Sequence, residues 1–224
     1  MRFLTGRVTV VCGHYGTGKT NLSINLAMDA ARDGERVTLI DMDVVNPYFR
    51  SSDYAGVLTE NGVRVLGPNF ANTNLDTPSL PAAIGDAISE GERVIIDVGG
   101  DDAGATALGV YSRQLSASEP DVMYVINRYR SQTTSPEEAV DILGEIERAA
   151  RIRASCIVNN SHLKHLTTAE TVEDSIPFAD RVSEITGLPV RFTTCPVGVE
   201  PLNKIPNMYP ISVYVKAPWE KAGN

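Results

Sequence analysis

Apolar residues in this chain fall in short, nearly unbroken runs separated by stretches of helical period, which is the pattern of strands buried on both faces alternating with amphipathic helices. Val8-Thr9-Val10-Val11-Cys12 is the first such run, and Leu22, Ile24, Leu26, Ala27, Ala30 and Ala31 then recur at helical spacing up to Asp33-Gly34. The same reading predicts strands at 7–12, 36–41, 63–66, 93–98, 121–127, 153–159, 190–195 and 211–215. Helices are predicted at 19–33, 79–90, 104–116, 135–150 and 167–187. Pro78 and Pro81 suit a helix start, and Ser135-Pro136-Glu137-Glu138 combines an N-cap, a first-turn proline and two acids favoured by the helix dipole. The alternation implies an α/β fold, a mostly parallel twisted sheet of seven or eight strands with helices on both faces. At 224 residues without repeat, low-complexity segment or long linker, the chain is expected to form a single domain over 1–224.

Composition narrows the function classes. A formal charge of −8 argues against broad nucleic-acid or anionic-lipid binding, which depends on clustered Lys and Arg. No apolar run approaches the ~20 residues that span a bilayer, and no signal-peptide core stands apart from the first strand, so a cytoplasmic location is expected. The segment from Tyr209 to Trp219 reads as a final strand and tail, not as an amphipathic membrane helix. Cys12, Cys156 and Cys195 are scattered through apolar runs and fit buried thiols better than a disulfide framework or metal site.

Between the first strand and first helix lies Gly13-His14-Tyr15-Gly16-Thr17-Gly18-Lys19-Thr20, which satisfies the phosphate-loop pattern G-x-x-x-x-G-K-S/T in the order strand, loop, helix that the motif requires. Glycines let backbone N–H groups close around phosphate oxygens, and the helix N-terminus adds a positive dipole end. The nucleotide-binding stretch is therefore Gly13, His14, Tyr15, Gly16, Thr17, Gly18, Lys19, Thr20 and Asn21. Lys19 is expected to reach the β and γ phosphates and the Thr20 hydroxyl to ligate Mg2+. In parallel α/β sheets ligands bind at the carboxyl ends of strands. Two acidic segments stand there. Asp41-Met42-Asp43 ends the second strand, where an acid can hold a magnesium-bound water or orient the attacking one, or simply cap a turn. Asp97-Val98-Gly99-Gly100 ends the fourth, with Asp97 placed as the magnesium partner of Thr20.

These elements together resemble the MinD/ParA family of P-loop ATPases (the CobQ/CobB/MinD/ParA nucleotide-binding domain), over a span from the first strand to about Gly198. More narrowly, GHYGTGKTN, DMDVVNPYFRS, DVGGDDAGA and VNNSHL look like a group of bacterial ATP-binding proteins of that superfamily. The resemblance implies that Lys19 and Asp43 carry catalysis, with Asp43 orienting the water. It implies Thr20, Asp41 and Asp97 around Mg2+, with Gly100 sensing the γ-phosphate. It also implies an ATP/ADP switch acting on a protein partner or cargo, with a nucleotide-dependent homodimer. By the same resemblance Asn159 and the Pro196-Val197 loop match the adenine-contacting positions, although an Asn there can also serve only to end its strand. A GTPase-type N-K-x-D is missing, since Asn127-Arg128-Tyr129-Arg130 lacks both Lys and Asp.

The chain departs from the family where its loop carries a lysine that reaches a partner's phosphates: here His14 stands there, followed by Tyr15 in place of glycine. Arg50, Arg113, Arg128 and Arg130 are the alternative cations. His162 and His165, three apart, have the spacing of a shared helical face but no evident third metal ligand. Tyr48-Phe49-Arg50 reads either as a partner-recognition element or as packing against the sheet. The missing lysine keeps a second reading open, a small-molecule kinase or ATP-dependent ligase of the dethiobiotin-synthetase type.

Overall fold

The computed structural model of the protein describes residues 3–43, 50–68, 83–201 and 205–215. Within it β1 (Val8–Cys12), β2 (Val37–Met42), β3 (Val63–Leu66), β4 (Arg93–Val98), β5 (Asp121–Ile126), β6 (Cys156–Asn159), β7 (Val190–Pro196) and β8 (Met208–Ile211) form one sheet in the order 3-2-4-1-5-6-7-8. All of its strand pairings are parallel. β1, β2, β5 and β6 are buried at every position, as strands covered on both faces must be.

Alternate side chains of each strand feed two cores. Val10, Ile40, Ile96 and Tyr124 pack beneath α3 (Ala83–Ser89), α4 (Asp102–Val110), α6 (Pro136–Ala150) and α8 (Ile176–Thr186). Val11, Leu39, Ile95 and Val125 pack beneath α1 (Lys19–Arg32) and α2 (Ala55–Glu60). The fold is the expected α/β sheet, and α6 starts at the predicted N-cap Ser135, which the structure shows to be part of a capping box: Glu138 N donates to Ser135 Oγ (3.2 Å) and Ser135 N to Glu138 Oε2 (3.0 Å).

Several boundaries differ from expectation. The stretch predicted as one helix over 104–116 is two, α4 and α5 (Ser112–Ala117), turning at the buried Tyr111. The one predicted over 167–187 is α7 (Ala169–Glu173) and α8. Pro177, in the first turn of α8, has no N–H with which to continue the earlier helix, and the buried Ser175 hydroxyl bonds back to Val172 O (2.6 Å). α2 and two 3-10 turns, Ser51–Tyr54 and Lys164–Leu166, were not predicted, being too short to show a period. The last strand is Met208–Ile211, not 211–215, because side chains on α1 take over its continuation: Asn25 Oδ1 accepts from Ser212 N, and Asn21 Oδ1 from Tyr214 N, each at 2.8 Å. Pro78, Pro81, Tyr48, Phe49 and Trp219 lie outside the described residues. No helix among the described residues is long and apolar enough to cross a membrane.

Candidate functional site

The carboxyl ends of β1, β2, β4 and β5 surround the loop that joins β1 to α1. Its hydrogen bonds converge inward on one acceptor: Thr17 N (3.3 Å), Thr17 Oγ1 (2.9 Å) and Lys19 Nζ (3.0 Å) all donate to His14 O. The loop ends at Gly18, whose left-handed φ of 88° leads into α1 without a side-chain cap. The first N–H groups of α1 are thereby left to an anion. A Cβ on Gly18 would lie 2.3 Å from Asn160 Nδ2. That amide donates to Thr17 O (2.6 Å) and its oxygen accepts from Thr194 Oγ1 (2.6 Å), which ties the loop to β7.

Lys19 is buried, and burial lowers its pKa against the pull of Asp97 and then Asp43. Asp97 stands in register with Asp41 on β2 and Val11 on β1. Burial and then the neighbouring Asp41 raise its carboxyl to about 7, opposed by Lys19. Ser23 Oγ donates to Asp97 Oδ1 (3.3 Å), while Oδ2 is buried without a hydrogen-bond partner. Among the described residues no group of three His, Cys, Asp or Glu forms a metal cage. One orphaned carboxylate oxygen beside a threonine at a helix N-terminus nonetheless fits Mg2+, which takes few protein ligands and fills its shell with phosphate oxygens and water.

Asp41, expected beside the magnesium ion, has both carboxylate oxygens engaged with backbone. Its Oδ1 accepts from Asp43 N (2.9 Å) and its Oδ2 from Ser52 N (3.0 Å), so both oxygens fasten the backbone on either side of residues 44–51. It positions Asp43, which lines the same cavity as Lys19, Thr20 and Gly100. Gly100 abuts the loop: a Cβ there would lie 2.6 Å from Tyr15 Cα and 2.7 Å from both Tyr15 N and Lys19 Nζ. Gly100→Ala is therefore expected to push loop and β4 terminus apart and to weaken binding of a non-hydrolysable triphosphate by about 5- to 100-fold. Titration calorimetry reads this directly, and unchanged affinity would mean that the contact plays no part in the bound state.

The cavity, about 380 Å³, runs from the loop past Asn127 and Arg130 to Leu163, Leu166, Val213 and Val215, a size in the range of small-ligand sites. Asn159 does not reach it. Its buried amide donates to Ser175 Oγ (2.8 Å) and its oxygen accepts from Ser161 N (3.3 Å), because side chains alternate at the end of β6 and Asn159 faces α8 while Asn160 faces the loop. Pro196 and Val197 line a neighbouring cavity of about 710 Å³, joined to the first at Lys164 and Val213. The two histidines likewise separate: His162 lines the first cavity and His165 the second, so they do not share a metal.

His162 is a site residue that sequence reasoning assigned no nucleotide role. Its Nδ1 accepts from Lys164 N (3.2 Å), which puts the proton on Nε2, a buried atom with no protein partner. Burial, reinforced by Arg130 and Lys164, lowers its pKa to about 4. The candidate arginines also separate. Arg113 lies with Arg7 and Ser89 at the opposite end of the sheet, and Arg128 donates to Asp174 O and stacks 5.5 Å from the Tyr129 centroid. Arg50 is the N-cap of the Ser51–Tyr54 turn, its N–H donating to Asp53 Oδ2 (3.2 Å). Arg130 faces the cavity.

A family model described as the CobQ/CobB/MinD/ParA nucleotide binding domain matches residues 8–169. Among solved structures, the cell division protein FtsY of Thermotoga maritima superposes with a TM-score of 0.56 at 20% identity, covering 88% of this chain and 63% of that one. FtsY of Mycoplasma mycoides gives 0.55 at 18%, covering 85% and 61%. The signal recognition particle 54 kDa protein of Aeropyrum pernix, in complex with GDP, gives 0.53 at 22%, covering 83% and 40%. The chain thus spans less than two thirds of each of these proteins, and at such identities the likeness establishes the fold alone. Comparison with curated proteins finds no match.

Proposed function

Because the chain belongs to the CobQ/CobB/MinD/ParA nucleotide binding domain family, we propose that it is a magnesium-dependent ATPase of the cytoplasm that works as a nucleotide-driven switch on a protein partner or cargo. The observation that carries this reading is the meeting of three strand ends at one loop. Lys19 from β1–α1, Asp43 held by Asp41 from β2, and Gly100 after β4 line one cavity, and Gly100 touches the loop itself.

In this mechanism the N–H groups of the loop and of the α1 N-terminus hold the β-phosphate, and Lys19 exchanges its bond to His14 O for the β and γ oxygens. Thr20 and Asp97 would hold the magnesium ion, which when bound neutralises phosphate charge. Asp43 orients a water for attack on the γ-phosphorus, the bond from that phosphorus to the bridging oxygen breaks, and ADP and phosphate leave. Loss of the γ-phosphate removes what Asp43 and Gly100 meet, and the resulting shift of these two residues releases the partner.

Adenine suits the apolar far end of the cavity. Among its described lining residues the only carboxylate is Asp43, at the phosphate end, which leaves no acid to accept from the N1–H and amino group of guanine. Two unmatched guanine donors predict that ATP displaces a fluorescent nucleotide at roughly five- to a hundredfold lower concentration than GTP. Equal or better competition by GTP would sink the adenine assignment.

A second reading, a small-molecule kinase or ligase of the dethiobiotin-synthetase type, draws on a cavity of about 570 Å³ beyond Tyr15 and Gly100, lined by Asp101, Asp102, Arg130, Gln132 and Glu145 among others, where an acceptor could sit. Phosphate release from ATP alone favours the switch, and turnover only with an added metabolite favours the kinase. Sedimentation with and without a non-hydrolysable ATP analogue tests the homodimer, and an unchanged monomer would count against it.

A further inference from the structure

We propose that Arg130 is a phosphate ligand supplied in cis, a cation that this chain brings to the loop from the end of β5. The inference rests on the nucleotide-binding reading above and deepens it. The loop from Gly13 to Gly18 contains no Lys or Arg.

Arg130 sits on a turn whose backbone is fixed on both sides. Arg130 N donates to Asn127 O (3.2 Å), Thr133 N to Arg130 O (3.0 Å), and the buried Thr133 hydroxyl to Asn127 O (2.8 Å). From there the side chain lies flat along Gly16: Nε, Cδ and Cζ are 3.4, 3.5 and 3.7 Å from where a Cβ of Gly16 would stand. A Cβ at 16 would thus stand in van der Waals contact with the guanidinium stem, and it is the left-handed φ of 78° that disfavours a larger residue there.

The polar end of this contact is unfinished. Arg130 Nε is buried without a hydrogen-bond partner, and no described ion pair includes Arg130 although Asp101, Asp102 and Glu145 line the same second cavity. A buried guanidinium N–H costs free energy until it finds an acceptor. Arg130 forms part of the wall of both the nucleotide cavity and the cavity beside it, so the acceptor available from the loop side is an oxygen of the bound phosphate chain. Its planar fork suits that geometry better than the point charge of a lysine would.

The test is calorimetry of the full chain with inorganic triphosphate and with a non-hydrolysable ATP analogue, in magnesium buffer. Arg130→Met keeps the apolar packing on Gly16 and removes the donors, and it should weaken both ligands by about ten- to a hundredfold, the size of one charge-assisted contact. Arg130→Lys should recover only part of the loss. Wild-type affinity in Arg130→Met overturns the proposal, because it would reduce Arg130 to a prop for the loop. Mixing Arg130→Met with Lys19→Ala chains tests the cis assignment: restored hydrolysis means that one chain serves another and overturns it. A wild-type chain that binds neither ligand overturns this proposal together with the nucleotide reading. Triphosphate binding that depends on Arg130 without any hydrolysis supports the proposal and counts only against the ATPase.

Discussion

Replacing Lys19 by methionine is expected to cut ATP hydrolysis by at least 100- to 1000-fold in kcat/KM while leaving the nucleotide-free protein no less stable. The catalytic loss follows from removing a preorganised cation aimed where charge develops on the transferred phosphoryl group. The stability statement follows from the burial of the same ammonium. Lys19 is buried, its ammonium donates to the backbone carbonyl of His14, and burial lowers its pKa. A lowered lysine pKa means that the folded chain binds fewer protons than the unfolded chain between the depressed value and the ordinary 10.5. Stability therefore rises with pH across that window, and the charge is a cost below it. Methionine fills a similar volume without that cost. Phosphate release and a thermal melt of the nucleotide-free protein check the two halves. A melt lowered by several degrees together with lost activity would make Lys19 a structural residue and remove it from the site.

How much of this was legible in the sequence depends on which interactions are local. The loop, α1 and the strands of the sheet centre follow from runs of Val and Ile and from glycine spacing, all contained within about twenty residues. The place of Asn159 follows from something that no pattern contains. The two neighbouring asparagines at the end of β6 are chemically identical, and only the strand's facing decides that Asn160 meets Thr17 while Asn159 meets Ser175. His162 and Arg130 were visible as residue types, but that an Nε atom of each is buried without a partner is no property of the local pattern, and Arg130 meets its neighbour Gly16 across more than a hundred residues of sequence. The β8 boundary slipped likewise, since the backbone of 212–215 is satisfied by asparagines nearly two hundred residues earlier. Strand propensity cannot register such side-chain substitutes for a ladder.

Asp41 and Asp43 are two residues apart, yet Asp41 is engaged with backbone on both oxygens while Asp43 lines the cavity, and their variants should separate too. Asp43→Ala is expected to lower kcat by about 100- to 10,000-fold, the usual contribution of a group that positions or deprotonates the attacking water, with ATP affinity nearly intact. Asp41, by contrast, has both oxygens engaged with backbone N–H groups, at Asp43 and at Ser52. Asp41→Asn replaces one of those acceptors by an amide donor, so one part-buried N–H loses its partner and the turn carrying Asp43 comes loose. That variant should therefore melt at lower temperature as well as turn over slowly. A single-turnover assay beside a melt distinguishes them. Wild-type chemistry in Asp43→Ala would move the water-positioning role elsewhere, and a melt unaffected by Asp41→Asn would show that the Asp41 bonds contribute nothing to holding the segment between β2 and α2.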